Sequence, residues 1–461
     1  MRVAYTQLKS LYLHSPLWIK KAYSCLPLRY RFGRGYREEK ELIARSDFFP
    51  QEKLRQLQEA RLEKLIGGIL PHVPFYRPYI TRAVRLRSFE CLSSLPLVDK
   101  ATMGGDLESF MSEKAVKGSY YFTSTGGTTG KPFGFYIDND AYGREWAFMI
   151  SQWERVGYQA GHRKATFRGV VFKQGDLWQY NPVYHELQFS PFLLNEANLA
   201  RMVDKIKEYR PLYLHGYPSA ITVLAKFIER NGVQSFPQLR AIFGASENVY
   251  PGQRELIESV FKTRLFSWYG QSEKVILAGE CEQAVEYHVF PQYGITELIG
   301  DDGRVIEEPG KRGELVGTGF LNRVVPFVRY RTGDYAEYAD KVCACGRHYR
   351  LLTSVEGRWL QEMMVGKTKA LISITALNMH SDVFDQVHQF KFIQQEVGSA
   401  QLLVVPTDRF SGQDQDTILE AMRAKVGDEL SIDVVLVAEI PPAKSGKSLF
   451  LEQRLDVSQY F

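Results

Sequence analysis

The sequence predicts an α/β protein: a large N-terminal domain with mostly parallel sheets and a β-rich subdomain, then a small, mobile α+β C-terminal domain. Three observations carry this. Between residues 133 and 261 short apolar runs alternate with segments of helical periodicity. From Tyr287 to Arg331 short strands follow one another, separated by the turns Asp301-Asp302-Gly303 and Pro309-Gly310-Lys311. After Glu356-Gly357-Arg358 a hairpin, a helix and a strand form a separate small pattern. The predicted organisation is an aromatic and basic helical extension over 1–50, a large domain over 51–356 and a small domain over 357–461.

Taken in order, residues 1 to 45 mix aromatic and basic side chains around Pro16 and Pro27 and read as helical segments. From Gln51 to Leu70, Leu54, Leu57, Leu62, Leu65, Ile66 and Ile69 recur at helical spacing among charges, which predicts an amphipathic helix. Phe133–Ile137 reads as a strand and Asp140–Val156 as a helix. The alternation continues with helix 198–209, strand 211–215, helix 219–230, strand 239–243 and helix 251–261. In parallel sheets of this kind ligands sit at the carboxyl ends of the strands, where glycine-rich turns fall in this chain. The β-rich part comprises strands at 288–290, 295–299, 313–317 and 324–331. The small domain comprises a hairpin over 392–405 turning at Gly398-Ser399, a helix over 413–426 and a strand over 432–437.

Composition excludes several classes. With 461 residues, 44% hydrophobic and 24% charged, the chain is ordinary for a globular protein of two or three domains. A net charge of +5 hints at an anionic ligand and gives no argument for nucleic acid. No apolar run reaches the ~18 residues of a spanning helix, and no signal-peptide core is evident, so the expected location is cytoplasmic. Five cysteines, an odd number, do not suggest a disulfide scaffold. Lys20, Lys21, Arg29, Arg31, Arg34 and Arg37 are interleaved with aromatics. A solvated basic face is the ordinary reading of such a run, and peripheral contact with the inner membrane surface is the other.

The densest chemical signal is Thr123-Ser124-Thr125-Gly126-Gly127-Thr128-Thr129-Gly130-Lys131-Pro132. Three glycines and five hydroxyl residues in ten positions offer backbone N–H groups, hydroxyl donors and one ammonium, a set that suits a polyphosphate. A P-loop is ruled out, because Thr125 stands where its first glycine would be and Pro132 replaces the Ser/Thr after the lysine. A flexible surface loop is the plain alternative. The segment resembles the signature loop of the adenylate-forming enzymes, and in particular of phenylacetate–CoA ligase-like proteins with their capsular-polysaccharide-biosynthesis branch. Pro71-His72-Val73-Pro74-Phe75-Tyr76 and Leu95-Pro96-Leu97-Val98-Asp99-Lys100 are similar to further segments of that family, and the resemblance runs from about Pro71 to Lys447.

The resemblance implies roles for residues that also have bland readings. Tyr269-Gly270-Gln271-Ser272-Glu273 matches the motif whose tyrosine binds adenine and whose glutamate reaches Mg²⁺; a lone Glu273 is adequate, since Mg²⁺ takes one or two protein carboxylates plus phosphates, and the alternative is a helix-capping glutamate. Gly244-Ala245-Ser246-Glu247 resembles the turn lining the adenine pocket. Tyr330-Arg331-Thr332-Gly333-Asp334 matches the motif whose aspartate accepts both ribose hydroxyls, a task suited to an acceptor-only carboxylate. Arg358 is the implied second ribose-side residue. Lys447, in Pro442-Ala443-Lys444-Ser445-Gly446-Lys447, falls at the position of the catalytic lysine, whose ammonium stabilises charge developing at the α-phosphate.

Cys281, His288, Cys343 and Cys345 supply three thiols and an imidazole flanking the β-rich region. Brought together they would make a closed structural zinc site, with His348 as an alternative fourth ligand and buried unligated thiols as the alternative reading. Some phenylacetate–CoA ligase-like proteins carry a site of this pattern.

The implied function is a ligase that joins a carboxylic acid to ATP as an acyl-adenylate, then displaces AMP with an acceptor amine, hydroxyl or CoA thiol. The polysaccharide branch favours a glycan-linked acceptor in capsule or O-antigen synthesis, and CoA is the alternative. Leu360 stands where the related enzymes place a charged hinge residue, and Gln361–Thr368 lacks their usual Arg-Gly pair, so adenylation is the firmer expectation and thioester formation the weaker. A non-catalytic nucleotide-binding assembly protein is the rival from another class; the retention of Lys447, Glu273 and Asp334 weighs against it.

Overall fold

A computed structural model describes residues 15–83, 89–125, 133–169, 172, 176–234, 236–250, 252–357, 363–377, 382–384, 386–440 and 450–460. The chain divides into two compact units. One gathers Met1–Thr123, Gly134–Ala160 and Trp268–Glu356; the other gathers Ser124–Phe133, Gly161–Ser267 and Gly357–Phe461. No helix among the described residues is long and apolar enough to cross a membrane.

In the first unit, the helix Gln51–Gly68 begins where the sequence places it and buries Leu54, Leu62, Leu65 and Ile66. Gly33–Ser46 packs on Asn139–Glu154. The second of these helices is capped by Asp138, whose side chain accepts from the Asp140 N–H at 3.1 Å. A Cβ on Gly143 would lie 2.4 Å from the Phe32 carbonyl oxygen, so only glycine lets this helix approach the turn so closely. The sheet of this unit is antiparallel. Its strands lie in the order Gly294–Ile299, Arg312–Gly319, Tyr330–Tyr338, Leu351–Glu356, Tyr287–Val289 and Leu277–Gly279, with residues 268–270 last.

The strand expected over 324–331 is displaced: the strand is Tyr330–Tyr338, and residues 324–328 are buried without joining the sheet. The reason is local. The Asn322 side chain accepts from the N–H groups of Val324 and Val325 at 3.1 and 3.4 Å, and Pro326 has no N–H to give a ladder.

The second unit holds the parallel sheet. Glu186–Phe189, Lys164–Phe167, Tyr213–Gly216, Ala241–Gly244 and residues 265–267 run parallel in that order, with Trp178–Asn181 antiparallel at the edge. The four named parallel strands are buried along their whole length, as expected of strands covered on both faces. Helices Glu196–Tyr209, Pro218–Arg230 and Gln253–Phe261 make the crossovers. A second sheet has the order Ser431–Leu436, Ser399–Pro406, Val387–Glu396 and Leu451–Gln453, with the helix Gly412–Val426 beside it. The expected hairpin is present, and Gly398 turns it at φ +75°. Residues between 363 and 451 share one core with residues between 165 and 265: Phe189, Leu214 and Ile242 belong to the same buried cluster as Met364, Leu371 and Leu402.

Candidate functional site

Two of the sequence motifs meet in the first unit. The hydroxyl of Tyr269, at the end of its strand, donates to Asp334 Oδ2 at 2.8 Å. Burial, and then the Asp334 charge, push the Tyr269 phenol well above its usual range, so it is a neutral donor. Glu273 is 5% exposed, and its Oε1 accepts the hydroxyl of Tyr330 at 2.7 Å. Tyr269 and Glu273 of the first motif thus pair with Asp334 and Tyr330 of the second. The Tyr-Arg-Thr-Gly-Asp segment is held by its own hydroxyl: Thr332 donates to the Leu315 carbonyl at 2.8 Å and accepts from the Asp334 N–H at 3.1 Å. Arg329 and Lys274 flank the cluster with φ of 48° and 57°. Non-glycine residues in that region are strained, and such strain gathers where side chains must be aimed.

In the second unit the Gly244-Ala245-Ser246-Glu247 turn follows the carboxyl end of the strand Ala241–Gly244. The Ala245 N–H donates to the Gly216 carbonyl at 3.0 Å, and Ser246 has φ 65°. Glu247 is buried and accepts three bonds: from the Ser219 N–H at 3.0 Å, the Ser219 hydroxyl at 2.9 Å and the Ser373 hydroxyl at 2.8 Å. Its carboxylate therefore ties the helix Pro218–Arg230 to the strand Leu371–Ser373 beyond the sequence-derived boundary at 357.

Thr123, Ser124 and Thr125 end the strand Tyr120–Thr125, which pairs with Phe133–Asp138. Gly126 to Lys131, Arg358, Leu360 and Lys447 lie outside the described residues.

Cys281, His288, Cys343 and Cys345 come together in the first unit, their ligand atoms all within 4.8 Å of one another. The topology explains it. Gly279 pairs with His288 and His288 with Leu351, so three adjacent strands bring Cys281, His288 and the turn before Leu351 to one place. Cys281 Sγ lies 3.5 Å from Cys343 Sγ, and Cys345 Sγ lies 3.3 Å from His288 Nε2. His288 Nδ1 is 3.1 Å from the Glu286 carbonyl oxygen, which fixes Nδ1 as the protonated nitrogen and turns Nε2 toward the thiols. Burial pushes the Cys281 thiol up to about 12 and the His288 imidazole down to about 4. The alternative ligand His348 is exposed and is not part of the cluster. Arg347, two residues beyond Cys345, bridges Asp47 at 2.8 Å and Glu282 at 2.9 Å.

Sequence reasoning missed the residues that brace these groups. Glu314 accepts from Arg331 Nε at 2.8 Å and Nη2 at 2.6 Å through one oxygen, and from the Gly333 N–H at 3.0 Å through the other. Lys274, next to Glu273, pairs with Glu145, which also accepts from Tyr293 at 3.3 Å. One signal was available: Glu314 interrupts an apolar strand, and an ionised side chain in such a run needs a partner.

The comparisons with known proteins agree with the motifs. The family model of the CapK C-terminal domain matches residues 364–453. The chain is 23% identical to Protein CapK of Staphylococcus aureus over 462 residues, covering 96% of this chain and 98% of that protein. It is 26% identical to a phenylacetate-coenzyme A ligase of Thermus thermophilus over 322 residues, covering 67% of this chain and 71% of that one. Among solved structures it is similar to 2-hydroxyisobutyryl-CoA ligase in complex with 2-HIB-AMP and CoA, with a TM-score of 0.57 and 17% identity over 90% of this chain and 92% of that chain. That likeness speaks for the fold. By its motifs, its relatives and its architecture, the chain is similar to the adenylate-forming enzymes, with CapK and the phenylacetate-coenzyme A ligases among its relatives.

Proposed function

We propose that the chain uses ATP to convert a carboxylic acid to its acyl-adenylate, then passes the acyl group to an amine or hydroxyl of a glycan precursor in surface-polysaccharide synthesis. The observation that carries the first half is the Tyr269–Asp334 hydrogen bond with Glu273 and Tyr330 beside it, because it sets the residues implied for adenine, ribose and Mg²⁺ in one cluster. Asp334 is an acceptor-only group suited to ribose hydroxyls, with Arg358 as its partner on the ribose side. By the resemblance, Tyr269 is assigned to the adenine, the Gly244 to Glu247 turn is likewise an adenine-side segment, and the 123–131 segment is assigned to the phosphates. Glu273 offers the oxygen donor that Mg²⁺ takes, and the metal, when bound, would neutralise phosphate charge. Lys447 supplies the ammonium that stabilises charge developing between the carboxylate oxygen and the α-phosphate.

The glycan acceptor is supported by the CapK C-terminal domain match and by similarity to CapK over nearly the whole chain. Transfer to the CoA thiol is the second reading, favoured by the similarity to phenylacetate-coenzyme A ligase. Three thiols and one imidazole within 4.8 Å fit a tetrahedral structural zinc. Arg347 beside Cys345 would offset the net negative charge of three thiolates on one divalent ion. Cytoplasmic enzyme working at the inner membrane surface, where lipid-linked glycans are met, is the location this reading implies.

Pyrophosphate exchange across a panel of carboxylic acids tests the adenylation half. Exchange that depends on one acid class is expected, and no exchange with any acid refutes it. With an accepted acid and Mg-ATP, AMP release driven by aminosugar-linked acceptors supports the glycan reading. Saturable release with CoA and an isolable thioester replaces it with the second.

A further inference from the structure

The first described residues have an unusual composition and exposure. From Ser15 to Arg37 there are six cationic side chains, Lys20, Lys21, Arg29, Arg31, Arg34 and Arg37, and no Asp or Glu. The two short helices in this stretch, Leu17–Ser24 and Leu28–Arg31, have no buried residue. Instead they and their connection expose large apolar groups: Trp18 is 70% exposed, Tyr30 61%, Leu17 52% and Leu26 46%, with Ile19 and Tyr23 also exposed. Isolated exposed apolar residues need no explanation; a run of six does.

Their arrangement is ordered. On the helix Leu17–Ser24, Trp18 and Ala22 are four apart, as are Ile19 and Tyr23, and these four share one face. Lys20, Lys21 and Ser24 fall on the opposite face. The Tyr23 hydroxyl donates to the Arg31 carbonyl at 3.4 Å, and the Arg31 guanidinium sits 6.0 Å from the Tyr23 ring, so the two helices are joined to each other. The base is firm. Phe32 stacks on Trp146 at 5.3 Å and 11°, and the next helix, Gly33–Ser46, buries Tyr36, Leu42 and Ile43. Both contacts lie within the first unit.

We propose that residues 17–31 form a docking surface for an anionic lipid bilayer. An aromatic and aliphatic face backed by lysines and arginines without any acid is the composition of a helix that lies in the headgroup region. A second copy of this chain would set the four cations of residues 17–31, Lys20, Lys21, Arg29 and Arg31, against the same four, which argues against self-association here. The surface contains none of the residues assigned to adenylation, so vesicle binding and pyrophosphate exchange fail independently of each other.

The test is co-sedimentation of the full chain with vesicles of phosphatidylcholine alone and of equal parts phosphatidylcholine and phosphatidylglycerol. Binding to the second and much weaker binding to the first is expected, with loss at high salt. Each cationic group near such a surface is worth roughly fivefold in affinity, so Lys20→Glu with Lys21→Glu should weaken binding at least tenfold. Trp18→Ala should weaken it severalfold and leave exchange activity in vesicle-free solution unchanged. Equal binding to both vesicle types, no binding to either, or binding that survives the double charge reversal overturns the proposal. A concentration-dependent dimer abolished by Trp18→Ala, with no vesicle binding, also overturns it and assigns the surface to a second copy.

Discussion

Glu314→Gln isolates the brace behind the ribose-side motif. The native carboxylate takes two bonds from the Arg331 fork and one from the Gly333 N–H, at 2.6 to 3.0 Å. Glutamine keeps the shape but has one acceptor oxygen, and its amide N–H₂ faces a donor. Losing a charge-assisted bond and opposing donor to donor costs ~1–3 kcal/mol. The Arg331 side chain is 48% exposed, so water recovers part of that loss and about 1–2 kcal/mol remains. Asp334 follows Gly333 directly, so this energy falls on the geometry of the carboxylate proposed to receive the ribose. The expected result is a KM for ATP raised roughly 5- to 30-fold in pyrophosphate exchange, with kcat within about twofold, because Glu314 contacts no reacting group. Arg331→Lys, which keeps the charge but not the fork, should give a smaller rise in the same direction. An unchanged KM, or a loss confined to kcat, would refute the assignment of Glu314 as a positioning residue.

Lys447→Ala should lower acyl-adenylate formation by roughly 10²-fold with nucleotide binding little changed; equilibrium binding beside exchange kinetics checks both halves. Metal analysis of the purified protein should find about one zinc per chain, lost in Cys343→Ser together with a lower melting temperature; a metal-poor protein of unaltered stability would restore the free-thiol reading. Glu247→Ala leaves Ser219 and Ser373 without their shared acceptor and should destabilise the second unit by about 1–3 kcal/mol, seen as faster hydrogen exchange in 213–230 and 363–377. Gly216→Ala places a Cβ 2.5 Å from the Phe167 carbonyl oxygen of the neighbouring strand, and a drop of several degrees in melting temperature is expected from that backbone clash.

What the sequence made legible follows the range of the interactions. The helix Gln51–Gly68 and the strands Tyr213–Gly216 and Ala241–Gly244 are local: a period of 3.6, or a short apolar run between polar turns, is enough to find them. The displaced strand near Tyr330 was not legible, because an apolar run does not reveal that Asn322 has already taken its backbone donors. Three-residue strands such as Leu277–Gly279 and Met363–Val365 carry too little pattern of their own and exist through their partners. The cysteines and His288 were visible as residue types, while their convergence depends on the Gly279, His288 and Leu351 pairings. Glu314 was invisible as a brace for the same reason: its partners lie 17 and 19 residues away.

The three-part make-up of the first unit has a consequence during synthesis. Its segment ending at Thr123 must meet one that ends at Glu356, and the strands Arg312–Gly319, Tyr330–Tyr338 and Leu351–Glu356 that complete its sheet come last. At ~5–20 residues per second, the ribosome needs on the order of 10–50 s to travel between those two points. Through that interval Leu62, Leu65, Tyr76 and Phe110, all buried in the finished unit, must wait without the strands that complete its sheet, and a nascent chain is exposed to aggregation for as long as such side chains are uncovered.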